Sequence, residues 1–183
     1  ENMFFTEIDK FGFGLKPMNC AGSILVFKSK TRSYKDLPIR LSELGIVHRN
    51  ELSGVLSGLF RLRTLTQDDA HIFVRHDQIE KEVIDVVDLI KYFYKIFDFE
   101  YSIELSTKPE KAMGNEDVWK KAESILRKTL DNAKLKYKMK PKEGAFYGPK
   151  IDFHIKDSMD RSWQLATVQL DMQSAERFAA TYI

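Results

Sequence analysis

The sequence predicts an α+β fold, an antiparallel sheet flanked by helices. Two long segments repeat apolar residues at spacings of three and four, the mark of amphipathic helices. The strand-like segments come as hairpins and do not alternate one by one with helices, which argues against a doubly wound parallel sheet. With 183 residues, no internal repeat and no Pro/Gly/Ser-rich linker, residues 1–183 read as one domain or part of one.

A short helix is expected after Asn19, from Cys20 to Lys30. A long hairpin follows, running from Ile39 to Glu51, through the loop Ser53–Gly58, and back from Phe60 to Val74. From His76 to Asp98, the residues Ile79, Val83, Val86, Ile90, Phe93 and Phe97 form one helical stripe with charge opposite. Tyr101–Leu105 alternates as a strand. Asn115 is a good N-cap for a helix to Ala133, with Val118, Ala122, Ile125, Leu126 and Leu130 on its apolar face. Ile151–Ile155 and Trp163–Leu170 flank the polar turn Lys156–Arg161 and read as an antiparallel hairpin.

Composition excludes several classes. Hydrophobic residues make up 43% and charged residues 31%, a globular balance without a disorder signature. The net charge of +2 is too mild to argue for nucleic-acid binding by itself. A single cysteine, Cys20, rules out an internal disulfide. No apolar run reaches membrane-spanning length and no signal peptide opens the chain, so no membrane association and a cytoplasmic location are expected. The chain opens on Glu1, not on methionine, and a piece of a longer protein is expected.

Four stretches could carry chemistry. On a strand, the period of two would put Arg61, Arg63, Leu65, Gln67, Asp69 and His71 on one face. Five of these six are polar, so the row faces either solvent or a ligand. Arg49 and Glu51 share a face just before the loop and are either a surface ion pair or a fork for phosphate or carboxylate beside a carboxylate that takes an amine. Cys20, at a helix start, is either a small buried hydrophobe or a metal ligand, with no Cys-x-x-Cys or His-x-x-x-His nearby to decide it. In Gly144-Ala-Phe-Tyr-Gly-Pro-Lys150, two glycines suggest a turn whose backbone approaches something closely, with Tyr147 and Lys150 at its edge.

Glu1-Asn-Met-Phe4, Lys16-Pro-Met-Asn-Cys20, His48-Arg-Asn-Glu51 with its Ser-Gly loop, Thr66-Gln-Asp-Asp-Ala-His-Ile-Phe73, Ser106-Thr-Lys-Pro-Glu110, Gly144–Lys150 and Thr167-Val-Gln-Leu-Asp171 occur in one order along the chain. In that order and spacing the chain resembles the threonyl-tRNA synthetases, members of class II. The resemblance implies a partial class II catalytic core, with the motif 1 and motif 3 regions outside the chain, working in a homodimer. It implies activation of threonine with ATP and Mg²⁺ to threonyl-adenylate, then transfer to tRNA(Thr). Arg49 is implied as the catalytic arginine on the α-phosphate. Glu51, Arg61 and Gln164 join it as ATP-binding residues. Met18, Gln67, Asp69, Tyr147 and Gln169 are implied around threonine. Cys20 and His71 are implied as zinc ligands, the third lying outside the chain.

Gln164 and Gln169 are five apart, so a bulge is required if both are to line one site. Three stretches depart from the family pattern: Ala21-Gly-Ser23 replaces Pro-Gly-His, Leu65 stands where the family stacks a phenylalanine on adenine, and the residues after Asp171 lack Leu-Pro. Leu65 and the Ala21–Ser23 stretch motivate the alternative of a non-catalytic synthetase-like paralogue that binds nucleotide or RNA.

Overall fold

The structure, a computed structural model, describes residues 2–183. It divides into two compact units, one through Phe73 with Tyr182–Ile183 and the other Val74–Thr181.

The first unit opens with a hairpin of β1 (Phe5–Ile8) and β2 (Phe11–Gly14) that the sequence reading did not anticipate. Ile8 pairs with Phe11 across a two-residue turn in which Asp9 and Lys10 have φ of 50° and 67°. Positive φ at both positions matches the twist of the flanking strands, the usual tight-hairpin solution. The next element, α1 (Cys20–Lys28), stops two residues before the expected end. Its last turn is closed by Ser29, whose amide and hydroxyl both bond the Val26 carbonyl, at 3.2 and 2.8 Å.

The expected long hairpin is present as β3 (Ile39–His48) against β4 (Thr64–Phe73), antiparallel in unbroken register from Ile39↔Phe73 to His48↔Thr64. Its arms are shorter than expected. The Arg49 amide continues the ladder once, to the Arg63 carbonyl at 2.7 Å, and the Glu51 amide then turns back on the Arg49 carbonyl. Arg61 is not on β4: it exchanges backbone hydrogen bonds with Ser57 at 3.2 Å in both directions, closing a turn of its own at the hairpin tip.

The second unit runs α2 (Ile79–Ile96), β5 (Tyr101–Ser106), α3 (Glu116–Asn132), β6 (Lys138–Lys140), β7 (Lys150–Lys156), β8 (Ser162–Gln169) and the single turn α4 (Ser174–Arg177). Its sheet has the order β6-β5-β7-β8, antiparallel except for β5 and β6. That pair is parallel because α3 carries the chain back between them, as any parallel connection must. Asn115 caps α3 as expected, its side chain accepting the Val118 amide at 2.9 Å.

Period two sorts the sheet into two faces. Ile103, Leu105, Ile151 and Phe153 pack into one core with Ile79, Val83, Val87 and Tyr94 of α2 and Leu126 and Leu130 of α3. The α2 stripe differs from the expected one in its last turns. Tyr94 is buried, while Phe93 and Phe97 are 49% and 63% exposed. Tyr94 meets the edge of Phe153 at 6.4 Å and 76°, a favoured aromatic arrangement. Trp119, also not anticipated, is buried beside Ala122, its indole donating to the Met113 carbonyl at 2.7 Å.

Candidate functional site

In the first unit, Leu65, Gln67, Asp69 and His71 alternate on the half-buried face of β4, with Thr64, Thr66, Asp68 and Ala70 on the exposed one. The row does not simply face solvent. Opposite it on β3 stand Val47, Gly45, Glu43 and Leu41. Asn19, the residue before α1, lies over the pair: a Cβ on Gly45 would stand 2.3 Å from the Asn19 amide. Only glycine admits that approach.

The resulting network holds two carboxylates that sit directly opposite each other. Glu43 and Asp69 are register partners, and like charges in that position repel. The Asn19 amide nitrogen donates to Asp69 at 3.1 Å and its oxygen accepts from the Lys16 ammonium at 2.7 Å. Lys16 also lies 3.8 Å from Glu43, and the Ser23 hydroxyl donates to Glu43 at 3.3 Å. Ser23, one of the departures noted in the sequence, therefore fills a defined place. Asn19, Lys16 and Glu43 were missed by sequence reasoning, although Lys16 and Asn19 sit inside the stretch Lys16-Pro-Met-Asn-Cys20.

Cys20 follows Asn19 directly and is half buried. His71 is two residues from Asp69 on the same face, and its Nδ1 is buried with no hydrogen-bond partner. A thiol and an unsatisfied imidazole nitrogen are donor types that suit zinc. No group of three potential metal ligands assembles among the described residues.

At the hairpin tip, Arg49, Glu51, Arg61 and Leu65 line a cleft of about 390 Å³ with Phe60 and Leu62. Arg49 is anchored by its Nε–H to the Pro17 carbonyl at 3.1 Å. Arg61 pairs with Glu51 at 3.1 Å, and Arg63 braces the loop by donating to the Glu51 carbonyl and the Ser53 hydroxyl. The structure thus brings Arg49, Glu51 and Arg61 together through the turn, not through one strand face. Met18 lies half-buried between Pro17 and Asn19.

In the second unit the sheet face away from the core is polar. The bulge that the spacing of Gln164 and Gln169 requires is present: Phe153 pairs with Ala166 and His154 with Gln164, leaving Leu165 as the extra residue. Gln164, Thr167 and Gln169 consequently share a face with Lys150, Asp152 and His154. The Tyr147 hydroxyl bonds the Gln169 side-chain oxygen. Tyr147 sits in a tight turn closed by the Gly148 amide on the Ala145 carbonyl. A Cβ on Gly148 would stand 2.0 Å from the Leu170 carbonyl, which is the close approach the sequence suggested. Gln173, 7% exposed, donates to the Tyr147 carbonyl at 3.1 Å and steadies that turn from outside any anticipated motif.

The family described as tRNA synthetase class II core domain (G, H, P, S and T) matches residues 4–183. The chain is 58% identical over 183 residues to threonine–tRNA ligase of Caldanaerobacter subterraneus subsp. tengcongensis, covering all of this chain and 28% of that protein. It is 57% identical to threonine–tRNA ligase of Acetivibrio thermocellus, again over all 183 residues and 29% of the relative. The chain thus spans under a third of the length of these relatives. Among solved structures, the RNA binding domain of threonyl-tRNA synthetase from Cryptosporidium parvum Iowa II superposes with a TM-score of 0.94 at 45% identity, covering 99% of this chain and 45% of that one. Because the family match runs through almost every residue described, this chain belongs to the class II tRNA synthetase core domain family.

Proposed function

We propose that the chain is the central part of the catalytic domain of a threonine–tRNA ligase, which activates threonine with ATP to threonyl-adenylate and transfers it to tRNA(Thr). The observation that carries this reading is 58% identity along the whole chain to a protein of that name. The working protein is a homodimer whose motif 1 and motif 3 regions lie outside these residues, and it acts in the cytoplasm. No helix among the described residues is long and apolar enough to cross a membrane.

In this reading Arg49, held by its Nε at Pro17, turns the rest of its planar fork to the α-phosphate as negative charge builds during attack by the threonine carboxylate. Arg61, 57% exposed, is the mobile partner that leaves Glu51 for the terminal phosphate. Glu51 then accepts from the adenine amine. Gln164 contributes to the ATP side, and Mg²⁺ accompanies the triphosphate. The threonine-binding residues are Met18, Gln67 and Asp69 in the first unit and Tyr147 and Gln169 in the second.

Discrimination against valine needs a polar contact, because a hydrophobic pocket rejects a near-isostere poorly. Asp69 accepts from the threonine hydroxyl and is pre-oriented by Asn19. Cys20 and His71 are the residues here that would hold zinc, with a third ligand elsewhere in the protein. When bound, zinc would supply a Lewis acid able to take polar groups of threonine that valine lacks. Exchange of pyrophosphate into ATP by the full-length protein should depend on threonine, respond weakly to serine and not to valine. Absence of threonine-dependent exchange would sink the reading.

A further inference from the structure

We propose that Asp152 is a positioning residue of this site, holding the Lys150 ammonium and the Gln164 amide in the arrangement that meets the ligand. The inference rests on the threonine-activating function proposed above.

A carboxylate only 2% exposed is costly to keep unless its lone pairs are taken up. Asp152 meets that condition within its own sheet face. Its Oδ2 accepts from the Ser106 hydroxyl at 2.7 Å and lies 2.8 Å from the Lys150 ammonium. Its Oδ1 accepts from Lys150 at 3.0 Å, Gln164 at 2.8 Å and Thr167 at 3.4 Å. A carboxylate offers about four acceptor positions, so Asp152 has none left for a substrate. It cannot act on the reacting atoms, and its effect passes through its partners.

Two of those partners are on the open side. The Lys150 side chain is 16% exposed, and its Nζ is gripped by both carboxylate oxygens, which freezes one of the most flexible side chains a protein has. Gln164 is exposed. Because a carboxylate only accepts, the Gln164 amide must turn its NH₂ group to Asp152 and to the Thr167 hydroxyl at 2.8 Å. Its carbonyl oxygen is then the atom offered to a ligand, which must bring a donor such as an amine or hydroxyl. Gln169 has the opposite polarity: its oxygen is engaged by Tyr147, so its NH₂ faces a ligand acceptor. The face distinguishes the two ends of a ligand because Asp152 and Tyr147 have each fixed one glutamine.

Asp152→Asn in the full-length protein tests this. The amide keeps an oxygen for Gln164 and a donor for Ser106, and loses the charge that holds Lys150. We expect kcat/KM for threonine in the exchange reaction to fall about 10- to 100-fold, the loss typical of a displaced reacting group. In a Lys150→Met background the same substitution should cost little, because the route is already cut. Additive losses in the double variant, or an unchanged single variant, would overturn the proposal.

The rate at which an amine-acylating reagent modifies Lys150, followed by mass spectrometry, reads the clamp without needing activity. It should rise several-fold in Asp152→Asn, and an unchanged rate counts against the proposal. A wild-type protein without threonine-dependent exchange would remove the proposed function, leaving the clamp to be judged by acylation. If Asp152→Asn does not fold, Asp152→Glu, which displaces the charge by one methylene, takes its place in both measurements.

Discussion

The two units cover their polar side chains in opposite ways. In the second, ten buried apolar residues from α2, α3 and the strands form a core on one face of the sheet, and the other face is free to carry Lys150, Asp152 and Gln164. Stability and site occupy different sides of the same strands. In the first unit the strands come only in pairs. Ile24, Phe27, Leu37 and Val47 are its buried apolar residues, whereas Phe5, Phe11, Leu44 and Leu59 are 75%, 69%, 76% and 89% exposed. There the polar row lies on the covered face itself, where Asn19 donates to Asp69. Loss of a polar contact in the second unit leaves the helix-covered core in place, whereas in the first unit it removes part of the packing itself.

The largest effect should come from the core of the second unit. Phe153→Ala removes a ring with no exposed surface and should destabilise by about 3–5 kcal/mol in urea unfolding. A loss below about 1 kcal/mol would mean that the helices do not depend on that face. In the first unit the comparable support is chemical. We expect roughly one zinc per full-length chain, and Cys20→Ala should remove it and weaken threonine binding. Zinc retained by the variant in elemental analysis would return Cys20 to an ordinary packing role.

A smaller effect is expected from Asn19→Ala. It strips Asp69 of one donor and Lys16 of one acceptor at a position 1% exposed, and should cost about 1–3 kcal/mol. Equal threonine binding by this variant and wild type would contradict the role of Asn19 in presenting Asp69. The smallest effect concerns the turn after β7. The Trp163 indole N–H, helped by the Arg161 and Met159 amides and the Arg161 guanidinium, holds the Asp157 carboxyl well below the usual carboxylate range. A carboxyl lowered in the folded state stabilises above its unfolded value and stops doing so only as the pH falls through its folded one. The gap in thermal midpoint between wild type and Asp157→Asn should therefore be level at neutral pH and close only in strong acid. A gap that closed near pH 4, the ordinary carboxylate range, would contradict this.

What could be read beforehand depended on whether the information was local. Asn115 announced α3 because an N-cap acts within three residues. Two glutamines five residues apart called for a bulge if both were to share a face, and the structure puts it at Leu165. Arg61 was placed on a strand because period two has no means of sensing the Ser57 carbonyl that diverts it. The β1–β2 hairpin escaped notice because all its residues are exposed, so it has no buried face to give an alternating pattern, and its turn lacks glycine. Asp152 was visible in an alternating strand, but Ser106, 46 residues away, was not predictable as its partner. The polar cluster around it is a product of topology.

The bulge gives β8 a residue to spare. Leu165 is 54% exposed and pairs with nothing on β7. A chain lacking it would run Gln164 directly into Ala166, and the ladder from His154 to Lys150 would close without interruption while both glutamines stayed on the same side. Length, normally the least forgiving property of a paired strand, is negotiable at this one point. A single-residue deletion at Leu165 should fold and keep threonine-dependent exchange, losing only local twist. One residue added between Thr167 and Gln169 would instead reverse the parity of everything before it, sending Gln164 toward the helices and Trp163 away from Asp157. If both changes proved equally damaging, the strand would have no such slack.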